Sequence, residues 1–180
     1  MSAGLLVEEE KGLRYSGSVV LGMSDALIEL TGVLAGLTFA LQDLNLIALA
    51  GLVTGIAAAF SMGASEYLSS KAEKKSESAI NAAFYTWISY LVTVILLISP
   101  YLILSADNPE YMGLEPHVLA LVCTFVIGLL IVAVFNYYVS KVEQESFGGR
   151  FTEMAAILGV VSLISYGIGI ALRSILGVEV

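Results

Sequence analysis

Charge is scarce in this chain. Only 13% of its 180 residues are Asp, Glu, Lys or Arg, 58% are hydrophobic, and the mean hydropathy is +0.89. Soluble domains carry about 25% charged residues, so an integral membrane protein with little mass outside the bilayer is expected. Positive charge is scarcer still, with 8 Lys and Arg against 16 Asp and Glu, which leaves no basic footprint for a nucleic acid. The net charge of −8 then describes loops and buried acids. The single cysteine, Cys123, lies inside an apolar run. That excludes a disulfide framework and a cysteine zinc site, and it reads as a small buried apolar residue. The one histidine, His117, reads as interfacial. No Ser-His-Asp set, HExxH or glycine-rich phosphate loop occurs, so neither an enzyme nor a permanently bound cofactor is expected. The N-terminus lacks a charged n-region leading into a short apolar core, so no cleaved signal peptide is expected.

What the chain has in abundance is long apolar runs. Five are predicted to span a bilayer, at about residues 16–41, 46–69, 79–104, 117–139 and 152–176. They make an all-α membrane domain over 16–176, preceded by an N-terminal segment at 1–15. The acids at 8–10 read as a solvated approach to the first span or, more weakly, as an acidic cation-collecting mouth, and Pro100 is expected to kink the last turn of the third. An odd number of spans puts the N-terminus and the linkers at 70–78 and 140–151 on one side. Lys11, Arg14, Lys71, Lys74, Lys75, Lys141 and Arg150 fall there, and Arg173 alone falls on the other. By the positive-inside rule the N-terminus is cytoplasmic.

Two internal patterns stand out. Tyr67, Lys71 and Glu73 recur as Tyr137, Lys141 and Glu143 at a constant offset of 70. This is either a parallel repeat or two interfacial aromatic–lysine ends arrived at independently. Gly32 and Gly36 form a small-xxx-small pattern, which suits close packing within the chain or a dimer face. A homodimer is expected, because five helices are few for a closed translocation path.

The first span carries two acids, Asp25 and Glu29, one turn apart on one helical face. A charge at the centre of a membrane helix costs about 2.5–3.5 kcal/mol on insertion scales, and an intramembrane acid is a functional-site hypothesis by default. At 1.5 Å per residue from Gly17, Asp25 lies about 12 Å deep and Glu29 about 18 Å. Counting back from Ser69 in the second span, Glu66 lies about 4–5 Å deep and Met62 about 10 Å. Asp25 and Met62 come level, with Glu66 at the mouth and Glu29 near the midplane. Carboxylates suit Mn²⁺ and Fe²⁺, and a thioether favours softer ions over Mg²⁺ or Ca²⁺. Buried acids also carry protons, so metal and proton competing for the same carboxylates gives a basis for antiport. Met62 alone also fits packing, and Glu66 an interfacial helix end. Glu153 suits a helix N-terminus or, with Glu66, a cytoplasmic entrance. Asn136 holds in span four the place of Glu66, and Thr54, Ser61 and Ser65 line a path or bond back to their own helix.

Gly22, Asp25, Ala26, Leu27, Ala35, Gly36 and Leu37, followed by the block Ser61-Met-Gly-Ala-Ser-Glu-Tyr-Leu-Ser69, resemble the vacuolar iron transporter (VIT) family. Glu153-Met154 and Ser165-Tyr-Gly-Ile-Gly169 add a weaker third match. The resemblance implies a five-span homodimer that moves Fe²⁺, often Mn²⁺ too, out of the cytoplasm in exchange for protons, along a path at the subunit interface. Asp25 and Met62 match the family's membrane-path Asp and Met, and Glu66 matches the bacterial and archaeal form of the second motif. Plant members insert a Glu- and Met-rich metal-binding domain between spans two and three, where this chain has only SKAEKKSES. Thr54 stands where plant relatives carry Glu, and Ala26 replaces a frequent Gly. A short, prokaryotic-type member in a plasma membrane is the expectation, or a vacuolar membrane in a eukaryote. Two other readings are a transporter of another cationic substrate and a non-transporting membrane assembly subunit whose acids pair with a basic partner.

Overall fold

The structure, a computed structural model, describes the backbone of residues 3–73, 76–104, 113–143 and 146–176, and side chains over 15–73, 78–104, 113–141 and 146–175. Five helices run along it: α1 (Ala3–Leu41), α2 (Leu44–Ala72), α3 (Ser76–Ile103), α4 (Pro116–Glu143) and α5 (Phe147–Leu176). Each contains an apolar stretch of 26 to 29 residues, roughly 39–44 Å at 1.5 Å per residue against a hydrocarbon core of about 30 Å. Helices are what such runs must form in lipid, where every backbone polar group needs a partner within the segment. That demand overrides the β-branched content of a stretch such as the α3 run YLVTVILLI.

The helices extend past the predicted spans. α1 begins at Ala3, well before the apolar run, so the segment at 8–10 lies on the helix, its side chains outside the described residues. The linker expected at 70–78 shrinks to a few residues between Ala72 and Ser76, and α3 continues through Pro100 to Ile103. Two residues turn α1 into α2. Gln42 adopts φ 57°, the left-handed conformation that ends many helices. Asp43 then caps α2, its Oδ1 accepting the Leu46 backbone N–H at 2.8 Å. Ser146 does the same for α5, accepting from the Gly149 N–H at 3.2 Å.

The chain packs as two units. The first joins Met1–Ala26 with Thr54–Val94, and the second joins Leu27–Val53 with Ile95–Val180. In the first, α1 meets α3 at Gly22: a Cβ there would collide with the Thr86 backbone oxygen and the Ser89 hydroxyl. Gly55 likewise makes room for Val94. Without a hydrophobic drive between helices in lipid, such small-residue contacts carry much of the association.

In the second unit α1 meets α5 backbone to backbone. A Cβ on Gly169 would run into the carbonyl of Gly36, and one on Gly32 into Val161. The small-xxx-small pattern of the first span is therefore used inside the chain. Thr38 and Tyr101, both buried, share a 2.6 Å hydrogen bond between α1 and α3. Thr124 donates to the Leu97 carbonyl at 2.9 Å. Apolar side chains cover the outside, Val134 and Leu163 among them.

Candidate functional site

The polar groups of the first unit converge where α1, α2 and α3 lie side by side. Ser18, 7% exposed, is held through its carbonyl, which accepts the Thr86 hydroxyl at 3.1 Å. Its own hydroxyl donates to Oε1 of Glu66 on α2 at 3.2 Å. Ser70, one turn beyond Glu66, donates to the same oxygen at 3.4 Å. Oε2 has no partner among the described residues, and no described Lys, Arg or His pairs with the carboxylate. Beside this group lies a cavity of about 260 Å³, lined by Tyr15 and Ser18 of α1, Glu66, Ser70 and Glu73 on the α2 side, and Ser78 of α3. Tyr15 is fixed at its rim by stacking on Tyr85, with ring centroids 5.0 Å apart, and by a 3.4 Å hydrogen bond from the Asn81 amide.

The Ser18–Glu66 bond sets the register of the antiparallel pair α1 and α2. Gly22 then falls opposite Met62, and Asp25 lies about 4.5 Å farther along, at 1.5 Å per residue. The depth count made Asp25 and Met62 level, and counting from the Ser18–Glu66 bond leaves their backbones about 4.5 Å apart along the axis. Helical side chains lean toward their own N-terminus, which on antiparallel helices carries Asp25 and Met62 toward one another. Both are half-buried.

Glu29 is half-buried on the part of α1 that belongs to the second unit. Glu153 is exposed on the first turns of α5. Thr54 is half-buried, while Ser61 and Ser65 are exposed. Asn136 is buried, its amide donating to the Val132 carbonyl at 2.9 Å and facing the Met154 sulfur at 3.6 Å. His117, expected at an interface, is buried at the start of α4, 3.8 Å from Glu115. Among the described residues, no group of three or more His, Cys, Asp or Glu side chains could hold a metal ion. The two Tyr–Lys ends share one arrangement: Lys71 lies over the Tyr67 ring at 5.7 Å and Lys141 over Tyr137 at 4.7 Å.

Sequence reasoning missed the hydroxyls of Ser18 and Ser70. Ser18 stands seven residues before Asp25, two turns back on its face, and Ser70 stands four after Glu66, so helical spacing alone could have flagged both. Thr86, Ser89 and Thr93 extend the row on α3, each bonded to a backbone carbonyl at 2.8–3.1 Å.

Five long apolar helices define an integral, all-helical membrane protein. A model of the VIT family matches residues 17–80, and the match supports membership of that family for the chain. The matched stretch holds Asp25, Glu29, Met62 and Glu66. No curated protein matches the chain. Members of the family are transporters, not enzymes, and the family suggests a membrane metal-ion transporter.

Proposed function

We propose that this protein exports divalent transition metal, Fe²⁺ or Mn²⁺, from the cytoplasm in exchange for protons. The observation that carries the reading is the Glu66 carboxylate, addressed by two hydroxyls, without a described cationic partner and open to a polar cavity. Metal enters past Glu66 and passes to Asp25 and Met62. There an oxygen and a sulfur favour Mn²⁺ and Fe²⁺ over Mg²⁺. Glu29, deeper on α1, takes up or releases the countering proton together with Asp25. The half-buried positions of Asp25 and Met62 fit a path completed by a second copy, as the family resemblance implies. With seven of eight cations on the N-terminal side, the N-terminus faces the cytoplasm. The short loops fit a prokaryotic plasma membrane.

Thermal unfolding in detergent tests metal recognition. A ligand that binds only the folded state raises its stability in proportion to the logarithm of concentration over Kd. Fe²⁺, Mn²⁺ and Co²⁺ should raise the melting temperature of the wild type and leave Asp25→Asn nearly unmoved. A wild-type melting temperature indifferent to all three ions would remove the metal reading.

A further inference from the structure

We propose that the cavity between α1, α2 and α3 is a docking chamber for a divalent cation that still carries its water shell. The inference rests on the metal-transport reading and adds the state of the ion at its first stop. Size supports it. Six waters at about 30 Å³ each occupy about 180 Å³, and the cavity offers about 260 Å³. A bare ion would rattle in such a space.

Chemistry points the same way. Oxygen supplies the polar part of the lining: the hydroxyls of Tyr15, Ser18, Ser70 and Ser78 and the carboxylates of Glu66 and Glu73. Its described lining holds no sulfur or imidazole, although a thioether lies one turn away at Met62. Coordinated waters donate strong hydrogen bonds, and hydroxyl and carboxylate oxygens accept them. Ser18 and Ser70 both address Oε1 of Glu66, which fixes the carboxylate plane and leaves Oε2 for a water of the shell. A cationic ligand complements the charge that the Glu66 carboxylate brings to this lining.

This divides the work between two places. The chamber gathers divalent ions through their shells, which look alike for Mg²⁺ and Mn²⁺. Asp25 and Met62, farther along the helices, replace waters with direct ligands and discriminate by softness.

Hexaamminecobalt(III) separates the two steps, because its six ammonia ligands imitate bound water and do not exchange. Calorimetric titration of the full chain in lipid nanodiscs at physiological salt should show saturable binding. Glu66→Gln should weaken it about tenfold or more, the scale of a lost charge-assisted hydrogen bond. Ser18→Ala and Ser78→Ala should each weaken it a few-fold, so the result does not hang on one variant's folding. Glu115→Gln, which removes the same charge elsewhere, should leave it unchanged. The complex should also slow Mn²⁺ uptake into liposomes from the chamber side. Absence of saturable binding, or binding indifferent to Glu66→Gln in a folded protein, overturns the chamber. If the complex binds but the wild type moves no Mn²⁺, the chamber stands and the transport reading falls. If Mn²⁺ moves and the complex neither binds nor slows it, the chamber falls alone.

Discussion

In the proposed path Met62 supplies a soft sulfur beside carboxylate oxygens, so its removal should change which ions pass more than how many. In Met62→Ala, uptake of Mn²⁺ and Co²⁺ should fall a few-fold while competition by Mg²⁺ strengthens, read from liposome uptake with mixed ions. A variant with unaltered ion preference would assign Met62 to packing. Glu29 calls for a different measurement, since its proposed cargo is a proton. Glu29→Gln should retain metal uptake while losing its acceleration by a pH gradient. Thr38 lies outside the path and tests the fold instead. Its hydroxyl meets Tyr101 at 2.6 Å in a buried site, so Thr38→Val leaves a phenol unpaired at a cost of about 1–3 kcal/mol. A lowered melting temperature with transport per folded molecule unchanged is the expected outcome.

At the scale of elements, the helix contacts are set by glycines and the helix ends by caps. The Gly36–Gly169 crossing leaves no room for a side chain. Gly169→Val should therefore destabilise the protein more than Gly159→Val, where a Cβ meets open space. Chemical unfolding in detergent compares them. Helix positions were legible in the sequence because the apolar runs are long and the turn Gln42-Asp43 carries its own chemistry. The Gly32–Gly36 pattern was legible as a close contact, but its partner on α5 was not, since a pattern on one helix does not name the helix it meets. The Ser18–Glu66 bond was illegible for a related reason. It depends on register and rotation between two helices, and a serine in a membrane helix that bonds to its own backbone has the same spacing signature.

For the whole molecule, composition alone settled the class. A chain that is 58% hydrophobic and folds into five long apolar helices belongs in a bilayer. The proposed function starts from the places where charge interrupts those helices, at Asp25, Glu29 and Glu66, with Met62 one turn from Glu66. The structure adds the hydroxyls and the cavity that give Glu66 an environment. The central claim is metal movement coupled to protons through Asp25. Mn²⁺ uptake into liposomes holding the wild type or Asp25→Asn, with and without an imposed pH gradient, tests it most directly. The wild type should take up Mn²⁺ faster when protons can run in the opposite direction, and Asp25→Asn should show no uptake above empty liposomes. Equal uptake by the two proteins, or wild-type uptake indifferent to the pH gradient, would contradict the claim.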